Sequence, residues 1–89
     1  MPALAAGELK ASPNPFNPAV RVSFAVPRQE EVLIQVFSMS GQLIAGERLR
    51  CSAGAHTRSL NFAGLPSGVY LVRVRTQGVA MAEKVTYIW

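Results

Sequence analysis

The feature that most constrains this chain of 89 residues is a two-residue alternation that runs almost from end to end. Val20, Val22, Phe24 and Val26 alternate with Arg21, Ser23 and Ala25, the pattern of a strand with one buried face. Tyr70, Val72 and Val74 alternate with Leu71, Arg73 and Arg75 in the same way. Val32, Ile34 and Val36 alternate with Leu33, Gln35 and Phe37, so this strand is apolar on both faces. It is expected to be buried on both sides or covered by a neighbouring loop. Leu43 to Cys51 is a looser strand with Gly46 as its candidate bulge. His56 to Phe62 and Val79 to Ile88 complete the long strands, and Glu8–Ala11 suggests a short one. No segment carries a helical period.

Turn signals separate these runs: Pro27, Ser40-Gly41-Gln42, Ala53-Gly54, Leu65-Pro66-Ser67-Gly68 and Thr76-Gln77-Gly78. Gly68 takes a positive φ at little cost. Strands recurring about every ten to twelve residues predict an all-β, immunoglobulin-like antiparallel β-sandwich of about seven strands. The likeness to antibody domains is architectural, since there is neither a cysteine pair nor a mid-chain tryptophan.

Ahead of the first long strand stands Ser12-Pro13-Asn14-Pro15-Phe16-Asn17-Pro18. Each proline removes a backbone donor and fixes φ, so this segment cannot be a central strand. It is expected to resist edge-to-edge pairing, and Phe16 to plug the open end of the sandwich.

Catalytic chemistry has little to stand on. There is one histidine, His56, and no aspartate, so a nucleophile–base–acid triad cannot be assembled in the usual way. Glu30 and Glu31 are adjacent and therefore point to opposite faces of a strand, flanking a turn rather than forming an acid–base pair. Cys51 and His56 lack companions for a metal site, and no phosphate-binding loop is present. The reading is of a non-enzyme with no metal and no cofactor. Cys51, the one cysteine, cannot form an internal disulfide and is expected to act as a small buried apolar residue.

The chain carries nine Lys and Arg against five Glu, and seven of the nine bases are Arg. Such a balance permits an anionic partner. Arg21, Arg73, Arg75 and Lys84 could share a face, but they do not interleave with aromatics as a single-strand nucleic-acid platform does. Phe24, Phe37, Phe62 and Tyr70 sit in strand phases that look like core, which leaves Tyr87 and Trp89 as the aromatics for a sugar-binding face. No apolar run approaches the roughly 20 residues of a membrane span. The start, MPALAAGELKA, lacks the features of a secretory signal.

Four motifs, in order, resemble a known family. They are Pro13-Asn14-Pro15-Phe16-Asn17-Pro18; Val32 to Phe37 followed by Ser40-Gly41-Gln42; Ala53-Gly54-Ala55-His56 followed by Leu65-Pro66-Ser67-Gly68-Val69-Tyr70; and Lys84 followed by the apolar tail Val85 to Ile88. From about Ala11 to Trp89 the chain resembles the C-terminal sorting domains of type IX secretion cargo. It also resembles the related immunoglobulin-like domain of the flagellar hook-capping protein. Two positions depart from the family pattern: Ser38 stands where Asp or Asn is usual, and Trp89 where Lys is frequent.

The resemblance implies a non-catalytic signal domain, residues 11–89, with residues 1–10 as linker or cargo junction. It implies transit through the periplasm, recognition by the outer-membrane secretion machinery, and cleavage near Ala3–Gly7 by a sortase-like peptidase. The cargo would then reside on the cell surface or outside the cell. Recognition is expected at Pro13, Asn14, Pro15 and Phe16 and at Lys84, Val85 and Ile88, with the last strand at a sheet edge where it could pair with a partner. Gly41, Gly54, Leu65, Gly68 and Tyr70 are expected to serve turns and core. The domain is expected to be monomeric, to bind no nucleic acid, and to lie at a true C-terminus because the chain stops one residue after an apolar strand. The competing reading is a structural or adhesive immunoglobulin-like spacer, such as a hook-cap-like assembly domain or a glycan-binding appendage.

Overall fold

The computed structural model describes residues 8–88. They form seven strands: β1 (Leu9–Ser12), β2 (Ala19–Val26), β3 (Glu30–Ser38), β4 (Leu43–Cys51), β5 (Gly54–Asn61), β6 (Gly68–Arg75) and β7 (Ala80–Tyr87). Every pairing is antiparallel within two sheets, one ordered β1-β2-β5 and the other β4-β3-β6-β7. The shortest dimension is 16 Å, as two face-packed sheets about 10 Å apart require. The expected all-β sandwich of seven strands is therefore present.

The alternation places the side chains. Val20, Val22, Phe24 and Val26 of β2 face Val32, Ile34 and Val36 of β3, Tyr70, Val72 and Val74 of β6, and Met81, Val85 and Tyr87 of β7. Fully burying a Val, Ile or Phe side chain contributes about 1.5–3 kcal/mol, so this shared core does most to hold the sheets together. Cys51 is buried in it, as expected, and burial pushes its thiol pKa up.

Two turns show why particular residues stand there. Gly41 has φ +90°, which a side chain would strain, and its N–H donates to the Ser38 carbonyl at 2.9 Å. The Ser38 Oγ accepts from the Gln42 N–H at 3.2 Å and lies 2.8 Å from Ser40 Oγ, so this hydroxyl helps to hold the turn. At Gly68, φ is +154°, and the hydroxyl of buried Tyr70 donates to the Pro66 carbonyl at 2.5 Å, tying the turn to the core.

Four expectations need correction. The β-bulge is at Ile44 rather than Gly46: Val36 pairs with Ala45 and Phe37 with Leu43, leaving Ile44 as the extra residue. Phe37 lies in register with Leu33 on the outward side of β3 and is half-buried, so it is not core. Tyr87 is buried, because it shares its phase with Val85 and Met81, and so it offers no exposed ring for a sugar. The outward side of β3 is covered neither by a third layer nor by a loop among the described residues. Glu30 and Glu31 do diverge as expected. Glu30 turns inward, accepts from Gln77 N–H at 3.2 Å and lies 3.7 Å from Arg28, while exposed Glu31 pairs with Arg48 at 3.6 Å.

Candidate recognition surface

The two stretches expected to carry recognition lie about seventy residues apart in sequence, and the fold joins them. β7 is the edge strand of its sheet, and Asn14 and Phe16 run along its outer edge. Asn14 Nδ2 donates to the Lys84 carbonyl at 3.1 Å, and Asn14 Oδ1 accepts from Thr86 N–H at 2.8 Å. Phe16 N–H donates to the Thr86 carbonyl at 2.9 Å, and Ile88 N–H donates to the Phe16 carbonyl at 3.0 Å. Phe16 and Tyr87 form an isolated parallel bridge.

The prolines explain why this contact is so short. A segment with Pro at 13, 15 and 18 has backbone donors only between them, so it cannot propagate a ladder. The Asn14 side chain imitates a peptide group, supplying one donor and one acceptor where a full strand would have continued. The segment thus satisfies the edge of β7 without offering a new edge of the same kind. The Xaa–Pro bonds Ser12–Pro13, Asn14–Pro15 and Asn17–Pro18 are cis.

Phe16 closes one end of the sandwich, as expected. Its ring meets Phe62 edge-on at 4.8 Å and stacks on Tyr87 at 5.3 Å, and Phe62 meets Tyr70 edge-on at 5.1 Å. Such aromatic pairs contribute about 0.5–1.5 kcal/mol each beyond area burial. Phe62 N–H also donates to the Pro18 carbonyl at 2.9 Å, which fastens the far end of the proline segment.

The candidates therefore divide by exposure. Phe16 and Val85 are buried, so their side chains belong to the core. Pro13, Asn14, Pro15, Lys84 and Ile88 are exposed, on the two segments that the Asn14 and Phe16 hydrogen bonds hold side by side. Strand pairing by a partner along Lys84–Ile88 would have to displace the chain's own Asn14 and Phe16. Gly41 takes positive φ in a turn and Gly54 and Gly68 at the first residues of β5 and β6, while Leu65 packs against the core and Tyr70 lies within it. The proposed cleavage stretch Ala3–Gly7 and the terminal Trp89 lie outside the described residues.

His56, Glu47 and Arg58 have partners within the fold. His56 stacks on Phe24 at 5.8 Å and bonds the Ser52 carbonyl through Nε2 at 2.7 Å. Glu47 and Arg58 form an ion pair at 2.8 Å across the flank where β4 and β5 diverge, above a cleft lined by Ile34, Ile44 and Leu60. Arg58 holds the Glu47 carboxyl below its usual range, chiefly by this hydrogen bond. Among the described residues, no group of three or more His, Cys, Asp or Glu is placed to hold a metal. No helix among them is long and apolar enough to cross a membrane.

The fold is thus a two-layer sandwich whose proline segment is tied to its edge strand β7. Residues 10–87 match the family described as secretion system C-terminal sorting domain, and the chain belongs to that family of type IX secretion tails. Membership makes the parent a secreted, cell-surface or extracellular protein whose tail interacts with the secretion machinery. No curated protein matches the chain.

Proposed function

We propose that this domain is a non-catalytic address: it folds in the periplasm, is read by the outer-membrane translocon, and is cut from its cargo by the associated sortase-like peptidase at or before the leader, near Ala3–Gly7. The family match across residues 10–87 is the observation that carries this reading. The geometry supports it in a second way. A signal shared by many cargoes needs a feature that stays rigid whatever precedes it, and a proline-locked strip costs little further ordering when it binds. The strip of Pro13, Asn14, Pro15, Lys84 and Ile88 is such a feature. The glycan-binding alternative loses support, because Phe16, Phe24, Phe62, Tyr70 and Tyr87 are all buried.

Removing the last strand is a poor test, since β7 supplies buried Met81, Val85 and Tyr87 and the sandwich would unfold without them. Substitutions at exposed positions avoid this. A secreted reporter carrying the chain at its C-terminus, in a host with type IX secretion, is compared with Pro13→Ala, Lys84→Ala and Ile88→Ser versions. Lys84→Ala and Ile88→Ser are each expected to change stability by less than about 0.5 kcal/mol and Pro13→Ala by about 1 kcal/mol, since it frees the locked backbone, and all three to lower surface display. Display at the wild-type level by all three would remove the strip from recognition.

A further inference from the structure

The outward faces of the two sheets differ in kind. The three-stranded sheet presents Lys10, Ser12, Ala19, Arg21, Ser23, and the small and polar residues of β5 opposite them; Thr57 pairs with Ser23 and Ser59 with Arg21. It carries no large apolar side chain.

The four-stranded sheet is the reverse. Register places Arg48, Leu33 and Arg75 in one row, Gly46, Gln35, Arg73 and Ala82 in the next, and Leu43, Phe37, Leu71 and Lys84 in a third. Arg50 lies opposite Glu31 beyond the first row. Five bases therefore share this face (Arg48, Arg50, Arg73, Arg75 and Lys84) with one acid, Glu31, which Arg48 already engages. Among the described residues, Arg50, Arg73, Arg75 and Lys84 have no ion-pair partner. Among the bases lie half-buried Leu33 and, across the Gln35–Arg73 row, half-buried Phe37 and Leu71, continued by exposed Leu43, Met39 and Val69 at that end.

We propose that this face is the docking surface for an acidic protein partner, with carboxylates meeting the arginines and apolar side chains meeting Leu33 and the Phe37–Leu71 pair. The proposal rests on the reading of the chain as a sorting domain and names the surface that its export partner grips. Charge complementarity fixes the sign of the partner. Four of the five bases are Arg, whose planar fork takes a carboxylate through two parallel bonds. Arginine, methionine and aromatic residues are also the types enriched in protein–protein interfaces. The form of the face favours a protein over a bilayer. Its Leu33, Phe37 and Leu71 are half-buried strand positions, giving contact area to a pressed surface but no apolar helix face to sink into lipid. Solvated arginine stems covering exposed strand positions would account for the charge alone, but among the described residues the outward face of the other sheet carries two bases, Lys10 and Arg21, against five here.

The test uses the reporter fusion with the full chain. Arg73→Glu/Arg75→Glu is compared with Lys10→Glu/Arg21→Glu, which makes the same change in net charge on the opposite face. The first is expected to lower surface display by about tenfold, equivalent to about 1.4 kcal/mol in binding, and the second by less than about twofold. Melting of the purified variants checks that both fold. Should the first fail to fold, Arg73→Gln/Arg75→Gln removes the charge without adding repulsion and is expected to lower display in the same direction. Normal display of a folded Arg73/Arg75 variant overturns the proposal and leaves the sorting reading intact. Equal loss in both variants also overturns it, as a general charge effect. Binding of the 89-residue chain to phosphatidylglycerol-containing vesicles, abolished in the Arg73/Arg75 variant, would replace the protein partner with an anionic lipid. A wild-type fusion that never reaches the surface removes the sorting reading and this proposal together.

Discussion

Asn14 accepts a hydrogen bond from the backbone N–H of Thr86 at 2.8 Å, 72 positions away in the chain. The same amide donates to the Lys84 carbonyl, so one side chain ties the first family motif to the last. Replacing it by Ala is expected to cost about 1–2 kcal/mol, near the sum of two modest hydrogen bonds. Asn14→Asp keeps the acceptor for Thr86 and loses the donor to Lys84, so it is expected to fall between Ala and wild type. Urea unfolding of the three chains checks the order.

Phe16 stabilises the same end of the sandwich more strongly. It is 2 % exposed and contacts the rings of Phe62 and Tyr87. Phe16→Ala should cost about 3–5 kcal/mol through lost transfer energy and the cavity left behind. That is a large part of the stability of a small domain, about 5–15 kcal/mol. A thermal melt that moves only slightly would contradict the role of Phe16 as end plug.

Gln35 predicts the opposite sign. Its Oε1 is inaccessible to solvent and has no hydrogen-bond partner. An unpaired buried acceptor costs about 1–3 kcal/mol, so Gln35→Met, which keeps the length and removes the polar atoms, is expected to stabilise by about 1 kcal/mol. Denaturant midpoints at constant slope measure this directly.

The Glu47–Arg58 pair sets a pH dependence. Arg58 lowers the folded-state pKa of Glu47, so its contribution is fully present above the ordinary carboxylate pKa. It is lost as pH falls through the lowered folded value. Glu47→Gln should therefore flatten the acid side of the stability profile, and high salt should shrink the difference because both groups are solvent-accessible. Melting temperatures across the acid range, with and without added salt, test both statements.

The strands were legible because a two-residue period survives in any buried-on-one-side strand; Leu43–Cys51 is bounded in the structure as the alternation suggested. Phe16 as an end plug could be read from its isolation among prolines. The contact between Asn14 and Thr86 could not, because nothing local encodes a meeting of segments so far apart. Phase was readable where residue type misled: Phe37 follows Leu33 outward and Tyr87 follows Val85 inward. The bulge at Ile44 was hidden because a bulge is an offset between two paired strands, and Gly46 marks only flexibility in one. Buried Glu30 carries the inward phase of Val32, yet its bond to Gln77 joins two turns 47 residues apart.

The most direct test of the account is transfer of the address. The full chain is fused behind a secreted reporter and expressed in a type IX host and in the same host lacking its translocon. The quantity measured is the fraction of reporter that added protease removes from intact cells. The account predicts reporter on the surface of the first host and folded reporter held inside the second. Equal surface fractions in both hosts, or folded reporter retained in both, would contradict it.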